Sequence, residues 1–160
     1  MHGQPFTMLF LSQRNSARSM MAEAIANAIG HGGLQAFSAG VRPGSSIDPI
    51  VVELLQHAGV EVPAHPPRHV REFSNHDSPP LDFVITIDKS IQEDDWIAAV
   101  CTLRARSRKS EAPIEITGSV MIRISDGKLI EAYNHWDFIG IFSQLGLLPT
   151  DTFARALGGE

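Results

Sequence analysis

The chain has 160 residues, of which 43% are hydrophobic and 19% charged, and its formal net charge is −5. This length suits one domain, and the composition excludes a disordered chain because it can bury a core. The acidic balance argues against nucleic-acid binding, and the absence of a long apolar run predicts neither a membrane span nor a secretory signal. The single cysteine, Cys101, excludes an internal disulfide and predicts a cytoplasmic location.

The first forty residues predict a strand, a loop, a helix and a second strand. Phe6–Leu11 is apolar on both faces, which predicts a central strand, and residues 12–17 are small or polar. Apolar residues spaced by four predict an amphipathic helix over 19–30, and Leu34–Ser38 predicts the second strand. A loop that opens a helix after a buried strand collects backbone N–H groups at the positive end of the helix dipole. Such a loop is typical of an anion-binding cradle.

The next stretch predicts a second helix and a third strand. Asp48 is expected to cap a helix that begins near Pro49. The Pro-rich stretch 61–80 predicts a loop with a short element near Arg71–Phe73, and Leu81–Asp88 predicts a strand. Two strand–helix units that lead to a third strand imply a parallel sheet, with the first loop at the ligand-binding end of its strand. The apolar residues of the second helix that we expect to face inward are Ile50, Val51, Leu54, Leu55 and Ala58.

The second half predicts an antiparallel meander, because no helical pattern separates its strands. Helical spacing resumes at Phe138, and Thr150 or Asp151 is expected to cap a short last helix. Three segments alternate as strands do, and one dipeptide is a hairpin signal. These are Trp96–Arg106, Ile114–Ile124 and Leu129–Trp136, with the hairpin at Asp126-Gly127.

Two motifs in the first half carry a family resemblance. Asn15-Ser16-Ala17-Arg18-Ser19 and the later Ser38-Ala39-Gly40 resemble the phosphate loop and second strand of low-molecular-weight protein tyrosine phosphatases and their arsenate-reductase relatives. The resemblance covers residues 6–89 and implies that the loop binds phosphate, arsenate or sulfate. In this reading Arg18 closes the cradle with a two-pronged contact, Asn15 holds the loop shape, and Ser19 donates to the atom at position 12. The implied oxyanion-binding residues are Ser12, Gln13, Arg14, Asn15, Ser16, Ala17, Arg18 and Ser19.

The alternative without ligand binding is a polar turn that only caps the helix, with Arg14 an ordinary solvated side chain.

The chain departs from the family at the nucleophile, because the family has a cysteine where this chain has Ser12. A thiol starts near a pKa of about 8.5 and is lowered further in such a loop, whereas a serine hydroxyl is far more basic and needs a neighbouring base. The motif supplies no base.

No match to the family's general acid is evident, since Asp48-Pro49 fits a helix start. We therefore expect oxyanion binding without phosphomonoester hydrolysis or arsenate reduction. A natural loss of catalysis and an engineered Cys-to-Ser trap both account for Ser12.

Residues 96–149 carry a second resemblance, to the C-terminal end of SnoaL-like polyketide cyclases of the NTF2-like fold. It rests on the Asp126-Gly127-Lys128 hairpin, a strand that ends in Asn-x-x-Asp at Asp137, and a Gln-Leu-Gly close. The resemblance implies that Asp137 acts as a catalytic acid or base, in a small-molecule pocket with His135 and Tyr133. The alternative is that Asp137 caps the helix that begins at Phe138.

The predicted fold is α/β, with a parallel flavodoxin-like half-domain over 1–90 and an antiparallel NTF2-like meander over 91–160. Pairing the edge of the parallel sheet with the meander would give one mixed sheet of about six strands, and the alternative is a homodimer that covers both edges. We expect no cofactor and no metal, because the seven histidines lack ligand spacing.

Three functions stay open at this stage. The first is an inactive oxyanion-binding phosphatase-like or arsenate-reductase-like protein, and the second is a SnoaL-like binder or cyclase. The third is a fusion or designed chimera without activity.

Overall fold

The first unit, Met1–Ile87, alternates strands and helices, as the sequence predicts. In the computed structural model, which describes residues 4–106, 111–125 and 128–159, its strands are parallel. The first strand pairs with both of the others and is therefore central, which confirms the predicted arrangement. The elements are β1 (Phe6–Ser12), α1 (Arg18–Ile29), β2 (Leu34–Gly40), α2 (Pro49–His57), a 3-10 turn at Val70–Phe73, and the beginning of β3 (Phe83–Glu93).

Helix α2 begins where the sequence predicts but turns only part of its apolar surface inward. The Asp48 carboxylate accepts a hydrogen bond from the Ile50 N–H at 3.0 Å, which is an N-terminal cap. Val51 and Leu55 are buried and pack with Ala24 of α1. Ile50 and Leu54 are 66% and 42% exposed and Ala58 is exposed as well, so the prediction that these three face inward was wrong. Val51 and Leu55 are four residues apart and so lie on the same face of the helix. Ile50 and Leu54 each lie about 100° away around the helix axis, which turns them away from α1.

The second unit, Asp88–Glu160, is the predicted meander followed by helices. Strand β4 pairs antiparallel with β5, and β5 pairs antiparallel with β6. Cys101, Ile114 and Ile116 are buried on one face of these strands, which confirms that Cys101 is a buried apolar side chain. The predicted hairpin Asp126-Gly127 lies outside the described residues. The elements are the end of β3, β4 (Trp96–Arg106), β5 (Pro113–Ser125), β6 (Lys128–Trp136), α3 (Phe138–Gln144) and α4 (Thr152–Gly158).

Hydrogen bonding orders the six strands β2-β1-β3-β4-β5-β6, so the protein is α/β with one mixed sheet, as predicted. Strand β3 starts in the parallel unit and ends in the antiparallel one. It runs to Glu93, whereas the sequence predicted an end at Asp88. The sequence did not reveal the extension because the residues after Asp88 are exposed and mostly polar, and so lack the apolar alternation that marks a strand. None of the described helices is long and apolar enough to cross a membrane.

Candidate functional site

The loop between β1 and α1 is held by backbone hydrogen bonds to the segment that follows β2. Four loop carbonyls accept hydrogen bonds from this segment at 2.8–3.1 Å. Because a trans peptide is planar, the N–H group that follows each of these carbonyls points to the opposite side, into the loop. The loop interior is therefore lined by amide donors, at a helix start where Ala17 supplies no side-chain cap. The donor and acceptor pairs are Val41 to Ser12, Arg42 to Gln13, Gly44 to Arg14, and Asp48 to Ser16.

The Asn15 side chain connects the loop to three other residues by hydrogen bonds. It is fully buried and has a φ of 47°, the left-handed conformation that Asn tolerates better than most residues. Its side-chain Oδ1 accepts from the Arg68 backbone N–H at 2.7 Å, and its Nδ2 donates to Ser19 Oγ at 3.0 Å and Ser38 Oγ at 2.8 Å. A backbone N–H can only donate, so the contact with Arg68 determines which end of the amide faces which partner. The structure thus ties Asn15 to the loop shape, as the resemblance implies.

Ser12 lies at one end of this hydrogen-bonded cluster. Its Oγ is 3.1 Å from the Asn15 N–H, which donates to it, and 2.8 Å from the Ser19 hydroxyl. Neither of these neighbours is a base that could take the Ser12 proton. The structure therefore brings Ser12, Asn15 and Ser19 into contact, and their described hydrogen bonds offer Ser12 no activation as a nucleophile.

The other end of the cluster is Glu23, a buried carboxylate that the sequence reasoning missed. Ser38 Oγ donates to Glu23 Oε2 at 2.5 Å, and His65 Nε2 lies 2.9 Å from Glu23 Oε1. The Arg68 guanidinium donates to both Glu23 oxygens at 3.3 Å and lies over the rings of Phe37 and Phe73. Pairing with Arg68, the hydrogen bond from Ser38 and the contact with His65 stabilise the buried carboxylate.

A signal for Glu23 exists in the sequence, because it follows Ser19 by four residues and so lies on the same face of α1. His65 and Arg68 have no such signal, since they come from a Pro-rich loop without periodicity.

Gly40 allows β2 to end against the loop. A Cβ at this position would lie 3.0 Å from the Arg14 carbonyl carbon and 3.0 Å from the Asn15 backbone nitrogen. Real Cβ atoms rarely approach backbone this closely, so the last residue of Ser38-Ala39-Gly40 has a steric role in the site.

The rim of the loop is basic. Gln13, Arg14, Arg18 and Arg42 are exposed, whereas Asn15 and Ser19 are buried. The exposed charged side chains of this rim are all arginines, and positive charge suits an anionic ligand. The one nearby carboxylate of α1 described above, that of Glu23, is buried and paired with Arg68.

The polar residues near the end of β6 are engaged elsewhere. Asp137 Oδ1 accepts from the Gly140 N–H at 2.7 Å and so caps α3, and the Tyr133 hydroxyl donates to Glu131 at 2.9 Å. This hydrogen bond to Glu131 raises the pKa of Tyr133, and the hydrogen bond from Arg123 lowers the pKa of Glu131.

His135 lines a cavity of about 410 Å³ and Asp137 lines a different one of about 540 Å³. An acid/base role for Asp137 stays a prediction. In the described part of the chain no three His, Cys, Asp or Glu side chains are grouped so that they could hold a metal ion.

The family model for low molecular weight phosphotyrosine protein phosphatase matches residues 7–111. No curated protein matches the sequence. A low molecular weight protein tyrosine phosphatase from T. tengcongensis is 28% identical, with 51% of this chain and 58% of that one covered and a TM-score of 0.44. A thioredoxin-dependent arsenate reductase from Corynebacterium glutamicum is 31% identical, with 41% and 33% covered and a TM-score of 0.39.

A protein from Bacillus cereus assigned as a polyketide cyclase is 20% identical, with 41% and 43% covered and a TM-score of 0.38. The chain spans 33–60% of the length of eight solved structures that it matches.

Proposed function

Because the chain belongs to the low molecular weight phosphotyrosine protein phosphatase family, we propose that residues 12–19 bind phosphate, arsenate or sulfate without turning them over. The observation that carries this proposal is the hydrogen-bonded cluster that runs from Glu23 through Ser38, Asn15 and Ser19 to Ser12. It supports a cradle whose shape is preserved around the position of the missing sulfur. Inward amides and a basic rim supply the donors and the charge that a tetrahedral oxyanion needs.

The proposed inactivity follows from the chemistry of Ser12. Attack on a phosphoryl group requires a nucleophile that is deprotonated or has a base at hand, and Ser12 Oγ faces only an amide and another hydroxyl. Arsenate reduction in addition requires an electron donor, which a serine oxygen is not. Cys101 is buried in the second unit, so it does not supply the sulfur.

The test compares p-nitrophenyl phosphate turnover by the unmodified chain, Ser12→Cys and Ser12→Ala. We expect the unmodified chain to match Ser12→Ala, because neither has a competent nucleophile. Turnover by Ser12→Cys would show that the loop geometry suits a thiolate. Turnover by the unmodified chain well above Ser12→Ala would refute the proposed inactivity. A rise in melting temperature with phosphate, arsenate or sulfate tests the binding itself.

A second candidate function rests on the cavity in the second unit. This cavity of about 410 Å³ is lined mainly by apolar atoms of β3, β4 and β5, including Ile91, Val100 and Met121, and His135 also lines it. Such a lining suits an apolar small molecule, as in the SnoaL-like alternative. Thermal stabilisation by hydrophobic polycyclic ligands that Val100→Asp abolishes would support it. If these ligands do not stabilise the unmodified chain, or stabilise Val100→Asp equally, oxyanion binding is the better proposal. Stabilisation of the unmodified chain by neither the anions nor the polycyclic ligands would favour a fold without activity.

A further inference from the structure

The turn between β3 and β4 brings carboxylates and an aromatic ring together in the second unit. Strand β3 ends at Glu93 and β4 begins at Trp96, so only Asp94 and Asp95 separate the two strands. Asp94 has a φ of 49°, a left-handed conformation that suits a tight turn and that Asp adopts more readily than most residues. The acidic turn therefore lies directly beside the indole of Trp96.

The strand register places Trp96 on an open face of the sheet. Trp96 is opposite Arg123 in the register of β4 and β5. Met121 is opposite Ala98 on one side and Tyr133 on the other. Directly opposite residues, and residues two apart along a strand, share a face. Since Met121 and Tyr133 are 43% and 46% exposed, this face is accessible to solvent.

Two side chains already contact the Trp96 ring on this face. The ring is stacked with that of Tyr133, with centroids 6.4 Å apart. The guanidinium carbon of Arg123 lies 5.7 Å from the centre of the indole ring, which is a cation–π contact. Both contacts come from β5 and β6, so the side of the ring towards β3 is left for other groups.

A cavity of about 320 Å³ lies on that side of Trp96. It is lined by the indole, by two acidic residues from the end of β3 and the turn, and by three apolar residues. These are Ile91, Glu93, Asp94, Trp96, Ala98 and Met121. The cavity therefore combines an aromatic wall, apolar walls and carboxylates.

The carboxylates that line the cavity are not neutralised by the nearby guanidinium. Arg123 is compensated by two other carboxylates, because it donates to Glu131 and its Nη1 lies 3.7 Å from an Asp95 oxygen. Among the residues that the structure describes, neither Glu93 nor Asp94 has an ion-pair partner. The cavity thus presents uncompensated negative charge beside an indole ring.

We propose that this cavity binds an alkylammonium ion. The electron-rich face of an indole ring attracts a cation, and aromatic rings recognise quaternary ammonium groups in this way. Glu93 and Asp94 add attraction for the positive charge, and the alkyl groups bury apolar surface on the remaining walls. Arg123 already occupies one such position over the same ring. This site is independent of oxyanion binding by the first unit.

The experiment is a titration of the full chain followed by its two tryptophan indole N–H signals in ¹H–¹⁵N NMR spectra. Choline is compared with 3,3-dimethylbutan-1-ol, which has nearly the same shape but no charge, at constant ionic strength. We expect choline to shift the Trp96 signal saturably and to bind at least about fivefold more tightly than the alcohol. Trp136 is the internal control, because it is three residues from Tyr133 on β6 and so lies on the opposite face.

A variant of the ring tests its part in binding. Trp96→Leu keeps an apolar side chain but removes the π face, so choline affinity should fall by about fivefold and affinity for the alcohol should fall less. In this variant binding is read from the backbone amide of Ala98, which lines the cavity. Trp96→Leu and Trp136→Phe also assign the two indole signals.

A variant of the carboxylates tests the charge. Glu93→Gln combined with Asp94→Asn should weaken choline binding by about two- to fivefold and reduce the loss of affinity with rising salt. Asn tolerates the left-handed backbone at position 94, so the turn is preserved. The matched control, Glu53→Gln combined with Asp77→Asn, removes the same charge from exposed positions of the first unit and should leave the affinity unchanged.

Several results would overturn the proposal. Equal affinity for choline and the alcohol would show an apolar cavity without selection for charge. No saturable shift of the Trp96 signal, equal shifts of both tryptophan signals, or unchanged choline affinity in Trp96→Leu would each exclude an ammonium site at this ring. Circular dichroism and the melting temperature confirm that each variant is folded.

Discussion

Replacing Asn15 by Ala is the most informative perturbation of the loop. The substitution removes three buried side-chain hydrogen bonds, to Arg68, Ser19 and Ser38. Each contributes about 0.5–1.5 kcal/mol to the free energy of unfolding. Ala at a φ of 47° adds a cost of about 1–2 kcal/mol for the left-handed backbone. We therefore expect Asn15→Ala to destabilise the first unit by about 3–5 kcal/mol.

Two control variants separate the backbone contribution to this destabilisation from the contribution of the hydrogen bonds. Asn15→Gly loses the same hydrogen bonds but relieves the backbone, so it should be less destabilising than Asn15→Ala by about 1 kcal/mol. Asn27→Ala removes an exposed Asn of α1 whose amide makes two hydrogen bonds to the backbone of Ala36, and should cost about 1–2 kcal/mol.

The assay is urea denaturation followed by far-ultraviolet circular dichroism. Intrinsic fluorescence is the complementary probe, because both tryptophans, Trp96 and Trp136, lie in the second unit. A destabilisation by Asn15→Ala no larger than that of Asn27→Ala would refute the view that Asn15 organises the loop.

Three further predictions concern single contacts. Gly40→Ala should destabilise by about 1–3 kcal/mol because its Cβ meets loop backbone at 3.0 Å, whereas Gly33→Ala, with its nearest neighbour at 3.5 Å, should be nearly neutral in urea denaturation. Tyr133 is the only tyrosine, so ultraviolet absorbance reads its titration directly, and Glu131→Gln should return its raised pKa towards the ordinary value. The stability from this raised pKa is present below the unfolded pKa of Tyr133 and is lost as the pH rises through the folded value; an unchanged titration in Glu131→Gln would contradict the hydrogen bond as cause. Asp137→Ala should cost about 1 kcal/mol through loss of the α3 cap, and no change in the denaturation midpoint would argue against capping.

Local rules in the sequence were sufficient for most elements. Strand β4 has the bounds that its alternation predicts, and α2 begins at Pro49, directly after its cap Asp48. Patterning and capping depend on residues within a few positions of one another, so they can be read without the fold. The same rules fail for Ile50 and Leu54, whose exposure depends on how much of α2 meets α1.

In the candidate site, too, some features follow from the local sequence and others depend on the fold. The sequence by itself determined the loop and the absence of sulfur at position 12, because these are properties of consecutive residues. Only the tertiary structure decided that Glu23, His65 and Arg68 support that loop, since His65 and Arg68 are 42 and 45 residues from Glu23 along the chain. It also decided the orientation of the Asn15 amide, because that orientation depends on a backbone N–H 53 residues from Asn15. Contacts between distant segments follow from packing of the sheet and its loops, which no local pattern encodes.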